Sequence, residues 1–264
     1  MKLYLNAIVL LSLSQYAVAD TTLEFKNLHG KKGKDTITYQ VKDQQLRFTE
    51  SGSSRVNIFD QQAQQFITLD PETGKTEMFN NEILNARIAQ LNKQRLNRLK
   101  RVEEELQSKL KVMSKQEQEV GEALVNQLKF PEFYGEHTLL KIAPLDSSKK
   151  IANVECKIYQ LTKKNQRLKE YCLATPASLN ITDNDYQTLR SFYAFDYNML
   201  TKLMLAMGKS NFNQVDYESE KMPGVVIEVI SYKNSSISQH QILKSFNSDT
   251  LDSNTFDLKQ STTR

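Results

Sequence analysis

The chain has 264 residues, a formal net charge of +4 and 25% charged residues, which is enough length for one large β-rich domain or two small ones with a sizeable core. Its lysines and arginines are interleaved with acids along the chain, so the charge pattern gives little support to a nucleic-acid-binding protein. No stretch is apolar over the roughly 20 residues that a membrane-spanning helix needs.

The N-terminal segment has the pattern of a secretory signal. Lys2 precedes an apolar run from Ala7 to Leu13, and Ala17-Val-Ala19 forms a small-x-small cleavage site. We therefore predict a signal peptide over residues 1–19 and a mature chain that begins near Asp20. No cysteine follows the apolar run, so the lipobox required for acylation is missing. The prediction is a soluble periplasmic protein that is not lipid-anchored.

Six short segments after the signal alternate polar and apolar residues, which is typical of half-buried antiparallel strands. They are Thr22–Leu28, Thr36–Lys42, Gln45–Thr49, Arg55–Phe59, Gln65–Leu69 and Lys75–Phe79. Turn-forming residues separate them at Gly30–Gly33, Glu50–Ser53 and Asp70–Gly74. This region is predicted to be a β-meander with one face in water.

The region from Asn81 to Lys129 is predicted to be a long amphipathic helical insertion, because apolar residues recur at steps of three and four and proline is absent. Ser114-Lys-Gln-Glu117 is a possible capping box that would open a second helix after a break near Met113. The narrow apolar stripe suits packing along the protein's own sheet or a coiled-coil seam with a partner. The candidate partner-binding residues are Leu99, Val102, Leu106, Leu110 and Met113.

The two cysteines of the chain lie in a predicted hairpin. Strands resume with His137–Ala143, and the segments Val154–Leu161 and Leu168–Ala174 then flank a polar turn. If this hairpin folds about Lys164, Cys156 and Cys172 face each other across antiparallel strands, where a disulfide can form. Bridges persist in exported proteins, so we predict a structural disulfide.

A second helical region follows. Thr182-Asp-Asn-Asp185 provides an N-cap and acids suited to a helix start, which also explains the paired carboxylates of Asp183 and Asp185, and Gly208 is a natural C-cap. The second half of this helix is apolar on more than one face, which predicts deep burial in the core or a position lining a cavity. Flexible methionines suit an irregular apolar cavity. The candidate ligand-binding residues are Phe192, Phe195, Met199, Leu200, Leu203, Met204 and Met207.

The C-terminal part of the chain returns to strand patterns, over Gly224–Lys233, Ser238–Phe246 and a short Thr255–Leu258. No nucleophile elbow, zinc-protease motif, phosphate-binding loop or dinucleotide fingerprint occurs in the chain. The three histidines, His29, His137 and His240, are far apart, and none lies at ligand spacing from a cysteine. We therefore predict a protein that is not an enzyme and that has no metal and no cofactor.

The order of these elements resembles a known family. A strand region with Leu69-Asp-Pro-Glu-Thr-Gly-Lys75 in a hairpin precedes helical segments, a hairpin that begins Val154-Glu-Cys-Lys-Ile-Tyr159, and a last strand over Thr255–Leu258. This order is similar to that of bacterial periplasmic domains distantly related to the Lol-type outer-membrane lipoprotein carriers. The resemblance implies one α+β domain over residues 20–264, with a curved antiparallel sheet that forms an unclosed, half-open β-barrel and helices covering its open face.

The resemblance also implies a hydrophobic cavity between sheet and helices that accepts acyl chains. The long insertion over 81–129 and the cysteine pair depart from the carriers' pattern. Two hypotheses follow. In the first, the protein is a periplasmic binding module for a lipid or a lipidated protein. In the second, it is an envelope interaction protein that forms a coiled coil with itself or another chain through the 81–129 helix.

Overall fold

The computed structural model describes residues 20–29, 35–109, 112–130, 140–208 and 222–257. The predicted signal peptide lies outside these ranges, as do Leu110 and residues 137–139 of the strand predicted over His137–Ala143; residues 140–143 of that strand are described and are in strand conformation. Within the described ranges, no helix is both long and apolar enough to cross a membrane.

In the described residues, eleven strands form a single antiparallel sheet, and three α-helices accompany it. The strands are β1 Thr21–Asn27, β2 Thr36–Lys42, β3 Gln45–Glu50, β4 Val56–Asp60, β5 Gln65–Asp70, β6 Lys75–Asn80, β7 Leu140–Ile151, β8 Val154–Lys163, β9 Gln166–Ala174, β10 Val225–Lys233 and β11 Ser236–Asn247. The helices are α1 Asn81–Lys109, α2 Lys115–Lys129 and α3 Asp183–Ala206. The α+β class and the antiparallel sheet agree with the sequence-based prediction.

The strand order across the sheet is β6-β5-β4-β3-β2-β1-β11-β10-β9-β8-β7. Two meanders, β1–β6 and β7–β11, are therefore joined by one long-range pairing between the first and last strands, in which Thr22 lies opposite Asn247. The end strands β6 and β7 do not pair with each other, so the sheet is unclosed.

Four hairpins of the sheet share one turn geometry. Their two-residue turns are Asp43-Gln44, Ala152-Asn153, Lys164-Asn165 and Asn234-Ser235, and all eight residues have positive φ. Two consecutive residues with positive φ form a type I′ turn, whose twist matches that of the flanking strands. Each pair contains one asparagine or aspartate, the non-glycine residues that most readily adopt positive φ.

The prediction of a last strand over Thr255–Leu258 is wrong for the described part of that segment. Ser253–Phe256 form a short 3₁₀ helix, whose N-cap Asp252 accepts a hydrogen bond from the backbone N–H of Asn254 (2.8 Å). The turn carries Phe256 onto a small cluster formed by Val56, Ile58 and Leu69. This segment therefore contacts the sheet through the packing of Phe256 and not through strand pairing.

The helical insertion consists of two helices, and a continuous helix is ruled out. Ser114 is the N-cap of α2 and forms the predicted capping box: its backbone N–H donates to Glu117 Oε2 (2.8 Å), and its hydroxyl accepts from the Glu117 N–H (3.4 Å). Packing of α1 occurs against α2, α3 and β6. An ion pair between Lys129 and Glu103 ties the end of α2 to α1.

The main core lies between α3 and one face of the sheet, and both meanders contribute to it. Its fully buried residues include Leu23 of β1, Val41 of β2, Phe59 of β4, Ile227 of β10 and Leu189 of α3. A second cluster lies on the opposite face of β8–β10, with Tyr159, Leu161, Tyr171, Leu173 and Val226 packed together and against Met222.

Candidate functional site

The start of α3 is fixed by side chains that reach the sheet. Thr182 is its N-cap and accepts from the backbone N–H of Asp185 (3.1 Å), as the sequence predicted. The Thr21 hydroxyl of β1 donates to Asp185 Oδ2 (2.6 Å), and the Thr188 hydroxyl donates to Gln61 Oε1 (2.8 Å). These bonds anchor the first turns of α3 to β1 and to the turn that follows β4.

Asp185 is 2% exposed, whereas Asp183 is exposed, so the two carboxylates at the helix start lie in different environments. Burial raises the pKa of the Asp185 carboxyl to about 6; the hydrogen bond from Thr21 opposes this rise, and the charges of Asp20 and Asp43 add to it. Asp20 itself is held by Lys42, with its Oδ2 3.2 Å from Nζ. The carboxylate is a structural element of the helix start.

Phe192 and Phe195, the first two candidate ligand-binding residues, lie in the core. Phe192 is 8% exposed, and its ring contacts those of Tyr39 and Phe66 at 6.4 Å between centroids and those of Phe48 and Phe59 at 5.7 Å. Phe195 is 7% exposed and its ring lies 5.4 Å from that of Phe59. This aromatic cluster packs α3 onto the first meander.

The remaining five candidates have a different environment. Met199, Leu200, Leu203 and Met204 of α3, together with its C-cap Met207, are all half-buried. Of the seven buried residues of α3, only Ala206 lies beyond Phe195. The C-terminal half of the helix (residues 196–206) therefore retains apolar surface that the rest of the described chain leaves partly open.

A cavity of about 250 Å³ lies between α1, α3 and the turn after β4. Two of the candidate residues, Phe195 and Met199, line it together with Leu84, while Asn81, Asn198 and Lys202 add polar groups. The other five candidates do not line it. Its volume is just below the roughly 300 Å³ at which small-molecule pockets usually begin.

A larger groove, of about 580 Å³, lies beside the disulfide and was not predicted. Its walls include Leu145 and Ser148 of β7, Lys157 of β8, and Thr175 and Ser178 beyond β9. The groove adjoins the irregularity in β7, where the pairing with β8 shifts between Pro144 and Ser148. Pro144 is the sequence signal for this break, because proline cannot donate to a ladder.

The predicted disulfide between Cys156 and Cys172 is confirmed, with 5.4 Å between the Cα atoms and both residues buried. The predicted direct opposition of the two cysteines is wrong, since Cys172 lies opposite Ile158. The turn is at Lys164-Asn165, and the register shifts beyond Thr162 so that Leu168 has no direct partner. Without this bulge Cys172 would lie opposite Lys157 and face away from Cys156, because a one-residue slip reverses every side chain.

A buried charge cluster lies on the same face as the disulfide and was also missed. Glu228 of β10 is 4% exposed, and its carboxylate pairs with Lys149 of β7 through Oε2 and with His240 Nε2 through Oε1 (2.9 Å). Glu228 lies opposite Cys172, and Lys149 lies opposite Cys156, so the Lys149 side chain passes over the disulfide. The sequence feature that could have revealed this cluster is Glu228 itself, an acid inside the apolar run Val225–Ile230, because a buried charge needs a partner.

The candidate partner-binding stripe of the helix pair is largely covered by the chain itself. Leu99 is 5% exposed, and Val102 and Met113 are half-buried, while the Leu106 side chain and Leu110 lie outside the described set. The apolar residues that remain exposed on the two helices are others: Ile83 and Leu96 of α1, and Val120 and Leu124 of α2.

Comparison of the sequence with models of known protein families finds no match, and comparison with curated proteins finds none either. Across the described ranges, no group of three or more histidine, cysteine, aspartate or glutamate side chains is placed to hold a metal ion.

Proposed function

We propose that the protein is a non-catalytic binding module of the periplasm that holds an apolar ligand, a lipid or a lipidated partner, against the C-terminal half of α3. The observation that carries this proposal is the division of α3. Six of the seven buried residues of α3 lie in its first half, whereas five apolar side chains at its end, Met199, Leu200, Leu203, Met204 and Met207, remain half-buried.

The chemistry needed for such binding is simple. Each acyl methylene removed from water contributes about 0.8 kcal/mol, so a long chain reaches useful affinity without covalent steps or a cofactor. The three methionines can adapt to chains of different length and saturation. The cavity beside Phe195 and Met199 offers an entry point for a chain that continues along the half-buried surface.

Two features of the fold support this proposal. An unclosed eleven-stranded antiparallel sheet with helices packed on it suits a relationship to the Lol-type carriers, whose fold has the same general form. The disulfide fits an oxidising compartment such as the periplasm, since bridges of this kind rarely persist in a reducing cytosol.

Native mass spectrometry of the protein purified from the periplasm of its host, followed by organic extraction, tests the proposal. We expect adducts of lipid mass on the purified protein and their loss from a Leu203→Ser/Met204→Ser variant. The matched control is Val120→Ser/Leu124→Ser, which removes two exposed apolar side chains from α2 and should keep the adducts. Protein without adducts, or equal loss from both variants, would count against a site on α3.

A second candidate function is association through the helix pair. Val120 and Leu124 are 67% and 51% exposed, and their spacing of four residues places them on one face of α2. The residues predicted for this role cannot all serve it, because Leu99 is already buried within the chain. Sedimentation equilibrium tests this alternative: an oligomer that Val120→Ser/Leu124→Ser converts to monomer supports it, and a wild-type monomer at high concentration rejects it.

A further inference from the structure

The charges of α1 are not interleaved, in contrast to the chain as a whole. Residues 83–102 contain no acid and six cations, which are Arg87, Lys93, Arg95, Arg98, Lys100 and Arg101. Because this segment carries +6 and the whole chain +4, the other 244 residues together carry −2. The excess positive charge is therefore concentrated in residues 83–102, while α1 as a whole carries +3 because four glutamates and Lys109 lie at its ends.

Three of these arginines share a face that points to solvent. At about 100° per residue, Arg87, Arg98 and Arg101 fall within about 60° of one another around the helix axis, and they span about 21 Å along it. All three are exposed. Lys93 and Lys100, also exposed, lie on the neighbouring arc of the helix surface.

The guanidinium groups on this face are held only by local, uncharged contacts. Arg87 donates to the side-chain oxygen of Gln90 (2.8 Å), and the Arg101 Nε–H points to the carbonyl of Asn97 at 3.5 Å. Within the part of the chain that the structure describes, no carboxylate pairs with Arg87, Arg98 or Arg101. Their charges are thus available to an external anion.

Exposed aliphatic side chains accompany the cations. Ile83 is 41% exposed on the arginine face, whereas Leu96, 53% exposed, lies beside Lys93 and Lys100, about 140–180° around the helix from the three arginines. A helix that mixes exposed cations with aliphatic side chains is typical of binding at a lipid interface, where phosphates pair with the cations and the aliphatic groups enter the acyl boundary. A nucleic-acid backbone would use only the cations.

We propose that the exposed surface of α1 formed by Ile83, Arg87, Arg98 and Arg101 docks on an anionic lipid membrane. This inference goes beyond the proposed acyl-binding site, because it concerns the headgroup surface of a bilayer and residues that lie on a different helix. Such docking would hold the protein at the membrane from which a lipid or lipidated ligand is taken or to which it is delivered.

Co-sedimentation of the full chain with vesicles tests this docking. One set of vesicles is pure phosphatidylcholine, and the other contains about one-third phosphatidylglycerol. The readout is the difference in binding between the two sets, which cancels any contribution of an apolar N-terminal segment common to all variants. We expect wild-type binding to depend on phosphatidylglycerol and to fall steeply at about 0.5 M salt, where exposed charges are screened.

Variants that remove positive charges show which residues contact the membrane. At about five-fold per cation, Arg87→Gln/Arg98→Gln/Arg101→Gln should weaken binding to anionic vesicles about 100-fold. The matched control removes three exposed lysines from strands instead, as Lys75→Gln/Lys150→Gln/Lys157→Gln, and should change binding by less than about five-fold. Ile83→Ser should weaken it by about five-fold, because an inserted side chain is lost.

Several results would overturn the docking. They are equal binding of wild type to both vesicle sets, equal losses in the two triple variants, no effect of Ile83→Ser, or binding to duplex DNA or polyglutamate without binding to vesicles. Unchanged thermal unfolding of every variant shows that the fold is intact, which is expected since each substituted side chain is exposed.

Discussion

The two halves of α3 are continuous in sequence but differ in how the protein uses them. The first half is held by hydrogen bonds from Thr21 and to Gln61 and by the aromatic cluster around Phe192. The second half contributes one buried residue, Ala206, and a series of half-buried apolar side chains. In the proposed function, the first half specifies the fold and the second half holds the ligand.

Phe192→Ala is the substitution expected to have the largest effect on stability. Removal of a buried phenylalanine from a packed cluster costs about 3–5 kcal/mol through lost burial and the cavity left behind. Leu203→Ala, in the half-buried part of the same helix, should cost about 1 kcal/mol. Urea unfolding monitored by circular dichroism measures both. Similar losses in the free energy of unfolding for the two variants would show that both halves of α3 contribute equally to the stability of the fold.

Removal of the disulfide should lower stability without affecting the second half of α3. Cys156→Ser/Cys172→Ser opens a loop with a sequence separation of 16 residues, and the expected loss in the free energy of unfolding is about 3 kcal/mol in the chain-entropy model. Acyl-probe binding at a temperature where the variant is folded should remain unchanged. Lost binding by the folded variant would place the ligand near the disulfide groove instead.

Titration of Asp185 should make the anchoring of the first half dependent on pH. Its folded-state pKa of about 6 lies above the unfolded value of about 4. The folded state therefore binds more protons within this window, and the free energy of unfolding falls as pH rises from about 4 to above 6, by up to about 3 kcal/mol.

Asp185→Asn removes this dependence, because the amide oxygen can still accept from Thr21 but does not titrate. We expect the variant to be more stable than wild type at pH 7, with a difference that shrinks towards pH 4. Urea unfolding across this pH series checks it. Parallel stability curves would show that Asp185 is not the titrating group.

A substitution that leaves both halves of α3 unchanged is expected to have the smallest effect. Ser114→Ala removes the capping box of α2 and should cost about 1 kcal/mol. Hydrogen exchange should localise the loss to α2, and acyl-probe binding should be unaffected. Faster exchange within the C-terminal half of α3 would show that the helix pair stabilises that half, contrary to the independence assumed here.

Local patterns predicted most of the fold. Strand alternation placed the first six strands to within a residue or two at each end, and the caps at Ser114 and Thr182 were recognised because a short polar side chain and its backbone partners lie within one turn. The pairing of β1 with β11 was not predicted, since no local pattern reports contacts between residues as distant as Thr22 and Asn247.

The candidate site was predicted less completely. Helical periodicity assigned Phe192 and Met204 to one apolar series, because periodicity cannot distinguish a side chain packed in the core from one that is half-buried. The disulfide pairing was found from composition, but the bulge at Leu168 that sets its register depends on packing across the sheet. The cationic surface of α1 was missed because charge was judged over the whole chain.

Fluorescence titration with a fluorescent fatty-acid probe tests the central claim most directly. The three proteins to compare are wild type, Leu203→Ser/Met204→Ser and the α2 control Val120→Ser/Leu124→Ser. We expect saturable binding by wild type and by the control, and binding at least about ten-fold weaker in the α3 variant because apolar contact with the chain is lost. Equal binding by all three proteins, or no binding by wild type, would contradict a lipid site on the C-terminal half of α3.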